Sequence, residues 1–236
     1  MSYFTSFGII GCARISAILV AFLVIIWVLN FNTSFTPHSS SSQHKFIFNA
    51  FHPLLMVIGF IIISGEAILV HRWLAGSRNE KKTVHLGMQG VALTCGVLGI
   101  WTKFQGHYDI VANFYSLHSW MGFFCVFLFA FQWMTGFLSF WHRGEARSVR
   151  MTILPWHIFI GLYTYSLAIA TAETGLLEKL TFIQARKNMS KRDSESILVN
   201  GIGFGLAVLS GAVILGAISH RQQHNTLHSA KLIHSK

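Results

Sequence analysis

Six long apolar stretches, separated by short polar segments, divide the chain: Gly8–Asn30, Ile47–Val70, Val84–Trp101, Tyr115–Trp141, Met151–Ala172 and Ile197–Ser219. Each approaches or exceeds the length of about 20 residues that a helix needs to cross the hydrocarbon core of a bilayer. Backbone groups find no water there, so an internally bonded helix is the conformation such stretches must take. The pattern predicts an all-α polytopic membrane protein with six transmembrane helices. The connecting segments are too short for a second folded unit, so residues 1–236 read as a single transmembrane domain. The first stretch exceeds a signal-peptide core and lacks a clear small-residue cleavage site, so it counts as a span.

Composition agrees: 53% of residues are hydrophobic, only 11% are charged, and mean hydropathy is +0.52. A soluble domain carries about 25% charged residues. An even number of spans puts both termini on one side. With the termini cytoplasmic, ten lysines and arginines fall on the inner side against seven outside, a weak positive-inside bias. The Asn-x-Ser/Thr sequons at Asn32 and Asn188 then both fall in outer loops. The net charge of +10 is read as topology and attraction for anionic lipid headgroups. No basic face interleaved with exposed aromatics remains once the spans are removed, which argues against nucleic-acid binding. Cys12, Cys95 and Cys125 lie singly inside spans and read as small packing residues.

Thirteen histidines are present. Four of them, His52, His85, His118 and His157, sit near the starts of four successive apolar stretches. An intramembrane ionisable side chain is a functional-site hypothesis by default. Successive spans run in opposite directions, so the four divide into two pairs, one near each membrane face. His52 and His118 belong to the outer side, His85 and His157 to the inner. Two facing imidazoles are what a six-coordinate haem iron needs, and they leave no open iron position for oxygen. With a core of about 30 Å, and each ligand a turn or so inside, two irons would lie roughly 20 Å apart. Pro53 and Pro155 stand beside candidate ligands, as proline does in a first helical turn. Gly122 and Gly161, four residues after His118 and His157, and Gly59, seven after His52, share the ligand faces and leave room for a flat macrocycle. A pair of ligands on one helix, about 14 residues apart, would be another arrangement, and His71 and His85 have that spacing. Arg72, Arg78, Glu80, Lys81 and Lys82 lie between those two and mark a loop.

These residues resemble the transmembrane cytochromes b561, particularly the plant form. The resemblance runs from Arg14 to the last span. It is carried by Phe51-His52-Pro53-Leu54-Leu55-Met56, Lys81-Lys82-Thr83-Val84-His85-Leu86, Tyr115-Ser116-Leu117-His118-Ser119-Trp120 and Leu154-Pro155-Trp156-His157. It implies a homodimer in which helices two to five form a four-helix core around two b-type haems. It also implies electron transfer from cytosolic ascorbate to monodehydroascorbate or a ferric chelate across the membrane. The membrane expected is vacuolar, another endomembrane, or the plasma membrane. Arg78, Lys81, Lys82 and Arg150 match an inner ascorbate site, where lysine and arginine supply charge and directional donors for an enediolate. Phe104, His107 and Tyr115 resemble an outer acceptor site, although Gln105 and Gly106 separate a Phe and a His that are often adjacent in relatives.

Two other readings compete. A transporter or proton channel would spread its histidines through the membrane depth, and the clustering near two faces counts against it. A haem-bearing subunit fed by a flavoprotein would need a separate partner, because the chain holds no nucleotide-binding segment.

Overall fold

The computed structural model describes residues 2–31, 50–105, 114–142, 146–187 and 193–234. They form six helices, and six segments within them are long and apolar enough to cross a membrane. We number the helices α1 (Ser2–Phe31), α2 (Ala50–Trp73), α3 (Arg78–Gln105), α4 (Leu117–His142), α5 (Arg147–Lys187) and α6 (Ser194–His234). Two stretches are π-helical: Leu55–Ile62 within α2 and Leu138–His142 at the end of α4.

Local chemistry sets several ends. Gly76 takes φ +142°, a backbone setting that favours glycine, and breaks the chain between α2 and α3. Ser77 and Glu80 then close a reciprocal cap: the Ser77 backbone N–H donates to the Glu80 carboxylate, and the Glu80 N–H donates to Ser77 Oγ. The loop expected across Arg72–Lys82 is therefore only Leu74–Ser77, and Arg78, Lys81 and Lys82 already belong to α3. Ser116 caps α4 in the same way, with Ser119 as its partner. Pro155, expected at a helix start, lies inside α5, which begins at Arg147.

The helices associate in pairs, α2 along α3, α4 along α5 and α1 along α6. Small residues let the first pair approach closely. A Cβ on Gly59 would stand 2.5 Å from the Cys95 side chain, so Gly59 serves the α2–α3 contact and not a cofactor face. Buried Cys125 packs α4 on α5, its thiol directed at the Thr164 carbonyl. Polar groups also join helices. The Trp27 indole donates to buried Glu195 in the first turn of α6, where a carboxylate also complements the helix dipole. Arg14 of α1 meets both carboxylate oxygens of Glu66 in α2, at 3.1 and 3.3 Å, and its guanidinium lies over the Trp73 ring. Arg14 thus pairs within the bundle.

Candidate functional site

The four histidines come together in the expected pairs, and each bridges the two central helix pairs. His52 of α2 faces His118 of α4, with ring centroids 6.2 Å apart and planes at 86°. His85 of α3 faces His157 of α5 at 6.4 Å and 70°. A metal–imidazole bond of about 2 Å, with about 1.1 Å from ring centre to nitrogen, puts two axial rings about 6.2 Å apart, centre to centre. Both pairs match that spacing. Among the described residues no group of three or more His, Cys, Asp or Glu forms a metal cage. Two imidazoles supply only two ligands to an iron, and a porphyrin would supply the others.

The rings are oriented by their neighbours. Nδ1 of His52 lies 2.8 Å from the Gly99 carbonyl oxygen, that of His85 2.8 Å from Ala67 O, and that of His118 2.8 Å from Thr171 O. A carbonyl only accepts, so each Nδ1 carries the proton and each Nε2 keeps a bare lone pair. This is the tautomer that binds a metal through Nε2. His157 differs: its Nδ1 meets the side-chain amide of Gln132 at 2.9 Å.

One rule places all four contacts. Each central helix carries one candidate ligand near one end and one anchor for a ligand near the other. His85 and Gly99 on α3, His118 and Gln132 on α4, and His157 and Thr171 on α5 are each fourteen residues apart. At 1.5 Å per residue this is about 21 Å. On α2 the separation from His52 to Ala67 is fifteen, and the π-helical stretch Leu55–Ile62 between them takes up the additional residue.

One turn beyond each anchor, the next residue on the same face lies toward the ring. On α5 this is Gly175, where a Cβ would lie 2.6 Å from His118 Cε1; on α4 it is Gly136, where a Cβ would lie 3.0 Å from His157 Cε1. On α2 it is His71, its ring 5.3 Å from that of His85. On α3 it is Lys103, within electrostatic reach of His52. Glycines do line the ligands, but they are Gly136 and Gly175. The expected Gly122 and Gly161 instead lie near Thr171 and Gln132.

The remaining site residues divide between the two ends. Arg78, Lys81 and Lys82 lie in the opening turns of α3, and Arg150 in the first turn of α5, at the end that carries His85 and His157. Among the described residues none of these four pairs with a carboxylate. Phe104, near the end of α3, and Tyr115, just before α4, lie at the His52–His118 end, linked through Phe114, whose ring is 5.9 Å from Phe104. His107 lies outside the described residues. Tyr115 is 76% exposed, yet its hydroxyl donates to Glu178 of α5 at 2.7 Å. That hydrogen bond, then partial burial and the carboxylate charge, raises the phenol above its ordinary value of 10.0. Gln132 and Glu178 are not among the residues that the sequence singles out. Gln132 has a readable signal, as a lone amide in the apolar run of α4.

Residues 51–183, which include all four histidines, match the family model for eukaryotic cytochrome b561. This chain belongs to the cytochrome b561 family. Curated relatives align over nearly the whole length. The probable transmembrane ascorbate ferrireductase 4 of Arabidopsis thaliana is 57% identical over 94% of this chain and 90% of its own. The transmembrane ascorbate ferrireductase 2 of the same plant is 41% identical, covering 90% and 92%. The ascorbate-specific transmembrane electron transporter 2 of Zea mays is 40% identical, covering 88% and 87%. Cytochrome b561 membership implies haem, and the two histidine pairs fit that group in donor type and spacing, with the metal-binding tautomer set at His52, His85 and His118.

Proposed function

We propose that this cytochrome b561 passes single electrons from ascorbate on one face of a membrane to monodehydroascorbate or a ferric chelate on the other. The supporting observation is the pair of matched histidine sites at opposite ends of one four-helix core, about 21 Å apart along each helix. The printed names of the relatives point to the same donor. A b haem held by His52 and His118, and another by His85 and His157, would supply one-electron carriers.

The chain's own residues do the rest. Arg78, Lys81, Lys82 and Arg150 bind the ascorbate monoanion through charge and directional N–H groups. The monoanion gives up one electron and releases one proton, leaving monodehydroascorbate. At the opposite end Phe104, His107 and Tyr115 form the acceptor site, with Glu178 holding the Tyr115 hydroxyl. The weak excess of basic residues on the ascorbate side supports cytosolic termini and a cytosolic ascorbate site. From the family resemblance we assign a homodimer embedded in lipid.

The test is haem content and ascorbate reduction of the purified full chain, with Lys82→Ala beside it. We expect two b haems per chain, reduced by ascorbate, and slower reduction in Lys82→Ala with both haems retained. A folded preparation without stoichiometric haem would overturn the electron-transfer reading. Haem that ascorbate leaves oxidised would move the donor to a flavoprotein partner. Unchanged kinetics in Lys82→Ala would remove that residue from the site.

A further inference from the structure

Three of the four rings rest on the main chain, and the fourth rests on a side chain. The Gln132 amide nitrogen lies 2.9 Å from His157 Nδ1 and 2.6 Å from the His157 carbonyl oxygen. An oxygen at that distance requires a donor, so the amide turns its N–H groups, and not its own oxygen, toward His157. Nδ1 of His157 therefore meets a donor where the other three rings meet an acceptor. A neutral ring in this setting keeps its proton on Nε2, the nitrogen that would have to bind iron.

We propose that Gln132 is a positioning residue that sets the proton arrangement of His157 and, through it, the electron-donating strength of that ligand. The inference rests on the reading of His85 and His157 as axial ligands. An amide suits the task because it offers N–H on one side and C=O on the other. It can donate to a bare Nδ1 before ligation. After half a turn about its last torsion it can accept from Nδ1–H, once the ring proton has moved from Nε2 to Nδ1. None of the three backbone carbonyls can exchange roles in this way. The half-turn also gives up the bond to the His157 carbonyl, so the amide is a weaker acceptor for Nδ1–H than a fixed carbonyl. A ring whose N–H is held by a strong acceptor gains imidazolate character and stabilises oxidised iron. Gln132 withholds part of that effect, so the His85–His157 site is more easily reduced than full acceptor bonding would make it.

The test uses the full chain in detergent, with Gln132→Glu and Gln132→Leu read by haem content, redox titration and low-spin electron paramagnetic resonance. A carboxylate accepts strongly and leucine not at all, so the two variants should move one haem in opposite directions. We expect Gln132→Glu to lower, and Gln132→Leu to raise, the reduced-to-oxidised ratio of that haem at fixed potential by about tenfold, or about 59 mV for one electron. The resonance of the same haem should shift while the other stays put. If Gln132→Leu releases that haem, Gln132→Glu alone carries the test through its lowered potential. Potentials and resonances of both haems unchanged in Gln132→Glu, or moved equally, would overturn the role of Gln132. A parent protein without haem would instead overturn the ligand reading itself.

Discussion

At the His52–His118 end both rings give their Nδ1 protons to backbone carbonyls, those of Gly99 and Thr171; at the His85–His157 end one ring leans on Ala67 and the other on Gln132. The ring separations are nearly the same, 6.2 and 6.4 Å. The helix geometry alone therefore fixes where the rings stand, while the anchoring atoms determine how each ring is charged and protonated. A second difference crosses the first. The ligands carried by α4 and α5 each meet a glycine; of those carried by α2 and α3, His52 has Lys103 within electrostatic reach and His85 has the His71 ring beside it. Each pair thus has one ligand hemmed in by backbone and one near a cation or an imidazole.

The contrast within each pair is most vulnerable at the glycines. Gly175→Ala would drive a methyl group to 2.6 Å from the His118 ring, below any tolerated carbon contact. We expect it to lose most of one haem per chain, measured as pyridine haemochrome, while the other haem remains reducible by ascorbate. Retention of both haems with unchanged spectra would show that α5 can retreat. Gly136→Ala is milder, because 3.0 Å to the His157 ring needs only a small shift. Haem content should hold, and the low-spin resonance of one haem should move. The smallest effect belongs to the far end of the pathway. Tyr115→Phe removes the hydroxyl bonded to Glu178 and should slow delivery to the acceptor by a few-fold, on the order of 1 kcal/mol. Reduction by ascorbate should be untouched in stopped-flow traces. Because the phenol is held above its ordinary value, its ionisation should leave no mark on the acceptor-side rate in the neutral range.

Much of this is legible in the chain. Hydropathy alone gives six helices, because lipid forces every long apolar run to satisfy its backbone internally. Helix alternation alone pairs His52 with His118 and His85 with His157. What stays hidden are the anchors at Ala67, Gly99 and Thr171, because a carbonyl oxygen is common to every residue and leaves no trace in side-chain identity. The glycines mislead for a related reason. Spacing along the chain points to those on the ligand's own helix, whereas Gly136 and Gly175 act across the gap from the helix that supplies the anchor. Helix ends also run past the apolar stretches. Once α5 leaves the lipid, polar residues continue it to Lys187, which hydropathy cannot mark.

The π-helical turn in α2 has a consequence of its own. A surplus residue in a straight helix swings everything beyond it through about 100°, which would turn either His52 or the Ala67 carbonyl away from the core. Winding that residue into a wider coil at Leu55–Ile62 cancels the swing, so both ends of α2 stay in phase with their partners. The stretch acts as a vernier, trimming the registration between two distant sites by backbone pitch alone. Removing one residue between 55 and 62 should therefore be the deletion that α2 tolerates best.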